Sequence, residues 1–440
     1  MSQPDSAADC PSDGHSDPAH RDAAGHRRQL WLVMAIALVV RLVAAIAVEQ
    51  YVKAADRQFL IEGDANGYWE LAGNLAAGRD YAIHTPPRYV LRTPGFPLLL
   101  AACRMLGGDS LLFARCVLAV VGTVCCLLAF LLAERLFDKR VALLATTWLA
   151  VHPIHIGNSV LILSETWFAC WMLVSLLALH QLWTLAGKTA QTRRLAVWGL
   201  LAGISIAITM LVRPGFLLWL PVTASAAALP VLRGPQQRRW TEGALTVMCI
   251  LVGFAVVVAP WAIRNQRVTG HLVLTSLWSG PSLYDGLNPD ADGRSDMTFF
   301  DTDRVMTKMS EFQMNEHYKQ KALDFAVTHP GRAVRLAFPK AWQFLQPIPN
   351  SLAERGWAIW VGCLTLWVAL LGGVLMAVGV GRTQWPQLLL TAGPLCLFLA
   401  VHMVFVGSVR YRLPLEFPLT ILSAFGWLAW MNNRVARQQS

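Results

Sequence analysis

The sequence is poor in charged residues, which fill only 15% of its 440 positions, whereas hydrophobic residues fill 55%. Soluble domains carry about 25% charged residues, so a wholly water-soluble fold is disfavoured. The mean hydropathy of +0.44 indicates instead that a lipid bilayer surrounds much of the chain. The short alternating segments of a transmembrane β-barrel are also lacking, which favours α-helices.

Two kinds of binding motif are missing as well. None of the nine cysteines belongs to a CxxC pair, so neither a disulfide framework nor a zinc ribbon is expected. No GxxxxGK[ST] loop occurs, so ATP binding by this chain is not expected.

Large apolar side chains are almost absent before residue 30. Residues 1–29 are therefore predicted to be a disordered cytoplasmic tail, and residues 30–440 a membrane domain.

Apolar runs of roughly 17 to 25 residues recur along the membrane domain, and each could cross ~30 Å of hydrocarbon as a helix. The predicted fold class is all-α, a polytopic transmembrane bundle of about ten helices. The predicted spans are roughly 30–48, 110–134, 141–156, 159–183, 195–212, 214–232, 242–262, 356–380, 387–407 and 413–431.

Lysine and arginine cluster in the connections at one end of this predicted bundle. The positive-inside rule places that end, and both termini, in the cytoplasm of a multi-pass plasma (inner) membrane protein. Topology thus accounts for the net charge of +10, and no nucleic-acid partner is expected. Two large loops, residues 49–109 and 263–355, then lie outside. Apolar stripes that include Tyr68 and Leu75 predict amphipathic helices at the membrane interface.

Several arginines break the topology rule because they adjoin the outer face. Those in very short outer turns have no role in fixing orientation, although snorkelling to the interface is an alternative explanation. Guanidinium groups bind phosphate through paired hydrogen bonds, so a cluster at headgroup depth suits a lipid phosphate. The candidate phosphate ligands are Arg92, Arg213, Arg264, Arg410 and Arg412.

Two carboxylates lie near the same face. Asp64 opens an amphipathic segment and Glu165 lies just inside a predicted span, where an unpaired carboxylate is costly. Capping of a helix by Asp64 and a structural ion pair of Glu165 are the alternatives. A carboxylate beside a cationic phosphate site is what glycosyl transfer from a lipid phosphate requires: the carboxylate takes the acceptor proton and the arginines stabilise the leaving phosphate.

His152 and His155 could ligate a divalent metal together with a carboxylate. Two histidines three residues apart beside a proline are also typical of a polar helix end. No metal or other cofactor is therefore assigned from the sequence.

Six strings follow one another along the chain: GDANGYWELAGNL with Asp64, RTPGFPLLLA from Arg92, SETWF from Ser164, VRPGF from Val212, PWAIRNQRVTG from Pro260 and RYRLPLEFP from Arg410. In this order, they resemble the GT-C superfamily of polyprenyl-phosphate-sugar glycosyltransferases, in the branch of the protein O-mannosyltransferases and the lipid A aminoarabinose transferase (family 39-like). Eukaryotic members of the family carry an adjacent Asp-Glu pair, whereas Ala65 follows Asp64 here.

The resemblance implies a catalytic aspartate on the outer loop after the first helix, which Asp64 matches, and an inverting displacement in an outward-facing cavity. The implied partners are a polyprenyl-phosphate-linked sugar, membrane lipids and a glycan, lipid or protein acceptor. Two other functions remain open from the residues themselves: a transporter or flippase of a lipid-linked glycan, and a non-catalytic membrane assembly subunit.

Overall fold

The computed structural model describes residues 18–186, 191–231, 236–348, 356–381 and 383–439. Throughout these ranges the regular secondary structure is helical, apart from one isolated bridge between Ile83 and Arg88. The predicted all-α fold class is therefore confirmed. The first half of the chain forms α1 (Pro18–Ala54), α2 (Asp64–Ala76), α3 (Gly95–Gly107), α4 (Leu111–Leu136), α5 (Lys139–Val151), α6 (Pro153–Asn158), α7 (Glu165–Leu185), α8 (Thr192–Val212), a 3-10 turn (Pro214–Leu218), α9 (Trp219–Val231) and α10 (Gln236–Thr269).

The second half consists of short helices followed by further long ones. They are α11 (Ser279–Gly286), α12 (Thr298–Asp303), α13 (Val305–Lys308), α14 (Glu311–Thr328), α15 (Pro330–Leu345), α16 (Trp357–Val380), α17 (Trp385–Thr391), α18 (Gly393–Val404), α19 (Val409–Arg412), a 3-10 turn (Leu413–Leu415) and α20 (Glu416–Gln439).

Seven helices in the described ranges are long and apolar enough to cross a membrane, or eight if the bent pair α17–α18 counts as one span. This confirms a polytopic helical membrane bundle, with fewer full-length spans than the ten predicted. The predicted span 141–156 falls on α5 and the start of α6, and the span 214–232 falls on a 3-10 turn followed by α9. A 13-residue helix such as α5 is only about 20 Å long, which is shorter than the hydrocarbon layer.

The predicted disordered tail differs in part from the structure. Helix α1 begins at Pro18, so residues 18–29 of that tail are helical. Alanine and arginine are strong helix formers, and extending a helix that the apolar span has already nucleated adds one hydrogen bond per residue. Residues 1–17 lie outside the described ranges.

Glycine allows two pairs of helices to pack at very short range. A Cβ on Gly203 of α8 would lie 2.0 Å from the carbonyl oxygen of Ile250 in α10, and one on Gly253 would lie 2.3 Å from that of Leu200. A Cβ on Gly426 of α20 would likewise lie 1.8 Å from the Gly373 oxygen in α16. Because lipid offers little hydrophobic force between helices, such close backbone contact is a main source of their association.

The two predicted outer loops pack against each other at one end of the bundle. Glu311, at the start of α14, accepts hydrogen bonds from the backbone N–H groups of Tyr89 and Val90, each at 2.9 Å from the nearer oxygen. Arg88 donates in return to the carbonyls of Met306 and Met309. These contacts fix the extended segment that leads into the candidate site.

Basic connections lie at the opposite end. Lys139 and Arg140 begin α5, and Gln387 of α17 donates to the carbonyl of Leu136 beside them at 2.7 Å. The rings of Trp183 and Trp385 are 5.4 Å apart at the same end. The division of the connections into two ends agrees with the predicted topology, while the side of the membrane that each end faces stays a prediction.

Candidate functional site

A cavity of about 330 Å³ opens between the two outer loops and the ends of several bundle helices. Its walls come from α2, the segment at 91–93, the turn at 212–215, α11, α18 and α19. Three of the predicted arginines, Arg92, Arg213 and Arg410, line this cavity together with Asp64. The structure therefore brings together residues that are up to 346 positions apart in the sequence.

Asp64 occupies the first position of α2, after Gly63, and its side chain makes no capping hydrogen bond. Its two carboxylate oxygens instead accept from two arginines, Oδ1 from Arg92 Nη2 and Oδ2 from Arg410 Nη1, each at 2.9 Å. The capping alternative does not apply in this structure. Burial alone would raise the pKa of Asp64, but the charges of Arg92 and Arg410 outweigh it and hold the pKa well below its usual value.

Glu165 begins α7 and lies behind the cavity wall, with a fully buried side chain. Its Oε1 accepts from Arg213 Nη2 at 2.6 Å and also from Arg410 Nε. Its Oε2 has no hydrogen-bond partner within the described chain. Glu165 thus holds two cationic side chains side by side, whereas Asp64, with a side chain about one third exposed, is the carboxylate that faces the cavity.

The charges of this cluster do not cancel. Arg92, Arg213 and Arg410 contribute three positive charges, while Asp64 and Glu165 contribute two negative ones, which leaves a net charge of +1. Like-charged guanidinium groups are held close together only because the two carboxylates lie between them. A cluster with this surplus favours an anion such as a phosphodiester, which carries one negative charge.

Two predicted phosphate ligands lie elsewhere. Arg264 donates to the carbonyls of Tyr89 and Tyr81, at 2.6 and 2.9 Å, and is not among the residues that line the cavity. Arg412 is buried, pairs with Glu416 at 2.7 Å and donates to the carbonyls of Phe344 and Gln346. Both arginines tie backbone segments together, and neither lines the cavity.

The two histidines also belong to that buried network. His155 Nε2 lies 3.2 Å from Glu416 Oε2, and the His152 and His155 rings are 4.6 Å apart. No group of three or more histidine, cysteine, aspartate and glutamate side chains in the described ranges is arranged to hold a metal ion. The structure places this pair away from the cavity, among packed helices.

Two aromatic rings flank the arginines. The Arg92 guanidinium carbon lies 4.6 Å from the centre of the Tyr68 ring, and that of Arg213 lies 5.1 Å from the Tyr411 ring. Such cation–π contacts restrict guanidinium rotation without using the hydrogen-bond donors. The position of Tyr411 next to Arg410 in the sequence could have indicated an aromatic residue at the site. The contact between Tyr68 and Arg92 depends on the packing of α2.

A polar wall forms another part of the same cavity. It is formed by Ser279, Ser282 and Asp285 of α11, with Ser276 before the helix and Ser295 after it. None of these residues was identified from the sequence, which in this region showed only turn-rich composition. Serine and aspartate are common in turns, so their types carried no specific signal.

Residues 102–274 match the protein family described as dolichyl-phosphate-mannose-protein mannosyltransferase. The chain is also similar to two undecaprenyl phosphate-alpha-4-amino-4-deoxy-L-arabinose arabinosyl transferases. The one from Pseudomonas aeruginosa LESB58 is 33% identical over 171 residues, which are 38% of this chain and 29% of that protein. The one from Pseudomonas paraeruginosa PA7 is 29% identical over 248 residues, or 54% and 41%.

The resemblance predicted from the motifs is thereby confirmed, and the chain matches less than half the length of each of these relatives. The matched family region contains Glu165 and Arg213 but not Asp64, Arg92 or Arg410. Among solved structures, the oligosaccharyltransferase of Archaeoglobus fulgidus in its apo form aligns with a TM-score of 0.50 at 15% identity. The alignment covers 90% of this chain and 50% of that one, and it supports the fold alone.

Proposed function

We propose that this chain is a membrane glycosyltransferase that moves a sugar from a polyprenyl phosphate to an acceptor hydroxyl by inverting displacement on the outer face. One observation carries the proposal: the Asp64 carboxylate and three arginines line a single cavity between the outer loops. The matched family and the two arabinosyl transferases support the same reaction class. The cationic connections at the opposite end support the assignment of the cavity to the outer face.

The arginines are the proposed ligands of the donor phosphate. Each one now donates to a carboxylate, so a phosphate that enters the cavity competes with Asp64 for Arg92 and Arg410. Glu165 is too deeply buried to follow that exchange, and it keeps Arg213 and Arg410 aimed at the cavity. We assign Glu165 this positioning role in place of the catalytic role that the sequence suggested.

Asp64 is the proposed general base. Once the phosphate takes hydrogen bonds from Arg92 and Arg410, the pKa of Asp64 rises toward its ordinary value, because the charges that lowered it are partly neutralised. The carboxylate then accepts the proton of the acceptor hydroxyl while the hydroxyl oxygen bonds to the anomeric carbon. The bond from that carbon to the phosphate oxygen breaks, and the electron pair leaves with the phosphate, which the arginines stabilise.

The decisive experiment uses the purified full chain in lipid nanodiscs. Undecaprenyl-phosphate-mannose and undecaprenyl-phosphate-4-amino-4-deoxy-L-arabinose are supplied separately, and the release of sugar-free undecaprenyl phosphate is measured against an Arg410→Ala variant. Release by the unmodified chain, but not by the Arg410→Ala variant, supports the proposal. Movement of an intact donor across proteoliposomes without release would establish a transporter instead. No release with any donor, together with a replaceable Asp64 in cells, would favour an assembly subunit.

A further inference from the structure

The cavity-facing side of α11 is a stripe of polar side chains. Ser279, Ser282 and Asp285 are spaced by three residues, which places them on one face of this helix, and all three line the cavity. Ser276 and Ser295 extend the same wall on either side. The wall therefore adds several hydroxyl groups and one carboxylate to the cavity that the arginine cluster lines.

The other face of α11 is fixed against α14. A Cβ on Gly280 would lie 1.9 Å from the carbonyl oxygen of Asn315, and the Gly280 N–H donates to Asn315 Oδ1 at 2.8 Å. The rings of Tyr284 and Tyr318 stack at 5.4 Å. Such close backbone contact leaves α11 little freedom to slide, so the stripe presents its groups in a fixed arrangement.

Asp285 is the unusual member of the stripe. The residue is only 6% exposed, and its oxygens accept from Ser295 Oγ at 2.7 Å and from the Asp296 N–H at 2.8 Å. No cation lies within ion-pair distance of Asp285 in the described ranges, although the charge of the buried Lys340 acts on it from farther away. Burial raises the pKa of Asp285. A buried carboxylate without a direct ion pair is costly to ionise, and a ligand that supplies a further hydrogen-bond donor lowers that cost.

We propose that the α11 stripe is the binding site for the sugar of the donor, with Asp285 accepting from a sugar hydroxyl or ammonium group and Ser282 adding a second contact. This inference rests on the proposed function and assigns the specificity of the same cavity. Closely spaced hydroxyl and carboxylate groups match the hydroxyl groups of a sugar ring.

The test compares the binding of three lipids: one without a sugar and two that carry different sugars. Affinities of the full chain in nanodiscs are measured by native mass spectrometry for undecaprenyl phosphate and for the two undecaprenyl-phosphate sugars used above. The variants are Asp285→Asn and Ser282→Ala, and the matched control is Asp290→Asn, an exposed aspartate of the same segment. Ser282→Ala removes a hydroxyl from a partly exposed position, so it tests the stripe even if Asp285→Asn folds poorly.

The expected result is a loss of roughly 10- to 100-fold in affinity for a sugar-bearing lipid in Asp285→Asn, since a hydrogen bond to a charged group is lost. Ser282→Ala should lose a few-fold. Both variants should bind sugar-free undecaprenyl phosphate as the unmodified chain does. Equal loss for lipids with and without sugar, or no loss in either variant, would overturn the inference. If the unmodified chain binds none of the lipids, the proposed function itself fails.

Discussion

Replacing Asp64 by asparagine separates its charge from its shape. The amide keeps the size of the side chain at the start of α2, but it cannot accept a proton and cannot pair with two guanidinium groups. General-base catalysis contributes at least about 10²-fold, so transfer should fall by that factor or more. Donor affinity should stay equal or rise, because the net charge of the cluster changes from +1 to +2 and the phosphate no longer competes with a carboxylate for Arg92 and Arg410.

The stability of this variant should change little. The side chain of Asp64 is about one third exposed, so solvent screens both ion pairs, and the loss should be roughly 1–2 kcal/mol. The pairs stabilise the fold only where the carboxylate is ionised. Because its pKa lies below the ordinary value of about 3.9, that contribution is complete above this pH and disappears only as the pH falls further. On the same grounds, kcat/KM of the unmodified chain should show no acidic decline due to Asp64 between about pH 5 and 8.

The assay pairs two measurements on the same nanodisc preparation. Single-turnover release of undecaprenyl phosphate gives the chemical step, and titration with sugar-free undecaprenyl phosphate gives affinity, while Asp80→Asn, an exposed aspartate near α2, is the control. Slow transfer with retained binding agrees with a base. Near-normal turnover of a properly inserted Asp64→Asn variant would refute the reasoning, and parallel loss of binding and turnover would indicate a structural role.

Further variants test the surrounding structure. Arg213→Ala and Arg410→Ala should each weaken donor binding and slow transfer, by about 2–4 kcal/mol in free energy. Lysine at either position should restore activity only in part, because it lacks the paired donors of a guanidinium group. Unchanged donor kinetics in both alanine variants would indicate that these arginines only snorkel to the membrane interface. Glu311→Gln should lower the free energy of unfolding by about 1–3 kcal/mol, because one backbone N–H loses its acceptor. Hydrogen exchange at residues 88–92 should increase for the same reason, and unchanged exchange would contradict this role. In a cysteine-free background, an impermeant thiol reagent should label Asp292→Cys but not Thr192→Cys in intact cells. Both positions are exposed in the structure. The reverse labelling pattern would show that the assignment of the two sides is wrong.

The sequence by itself determined the class of the fold and much of the candidate site. Hydropathy is a property of a short stretch of sequence, so the long apolar helices could be located from it. The breaks that shorten α5 and bend α17–α18 depend on local geometry and were not predicted. Residue type and position near a membrane boundary were enough to select Asp64, Arg213 and Arg410, because a charge at that depth is costly without a purpose.

Only the tertiary structure decided which of these charges meet. Arg410 and Arg412 are two residues apart, yet one faces the cavity and the other is buried against Glu416, because the short helix α19 turns their side chains in different directions. The same holds for Asp285: its place in the wall of the arginine-lined cavity depends on how α11 packs on α14, and no local pattern encodes that contact. Side-chain partnerships between distant segments are set by packing, which a sequence window does not contain.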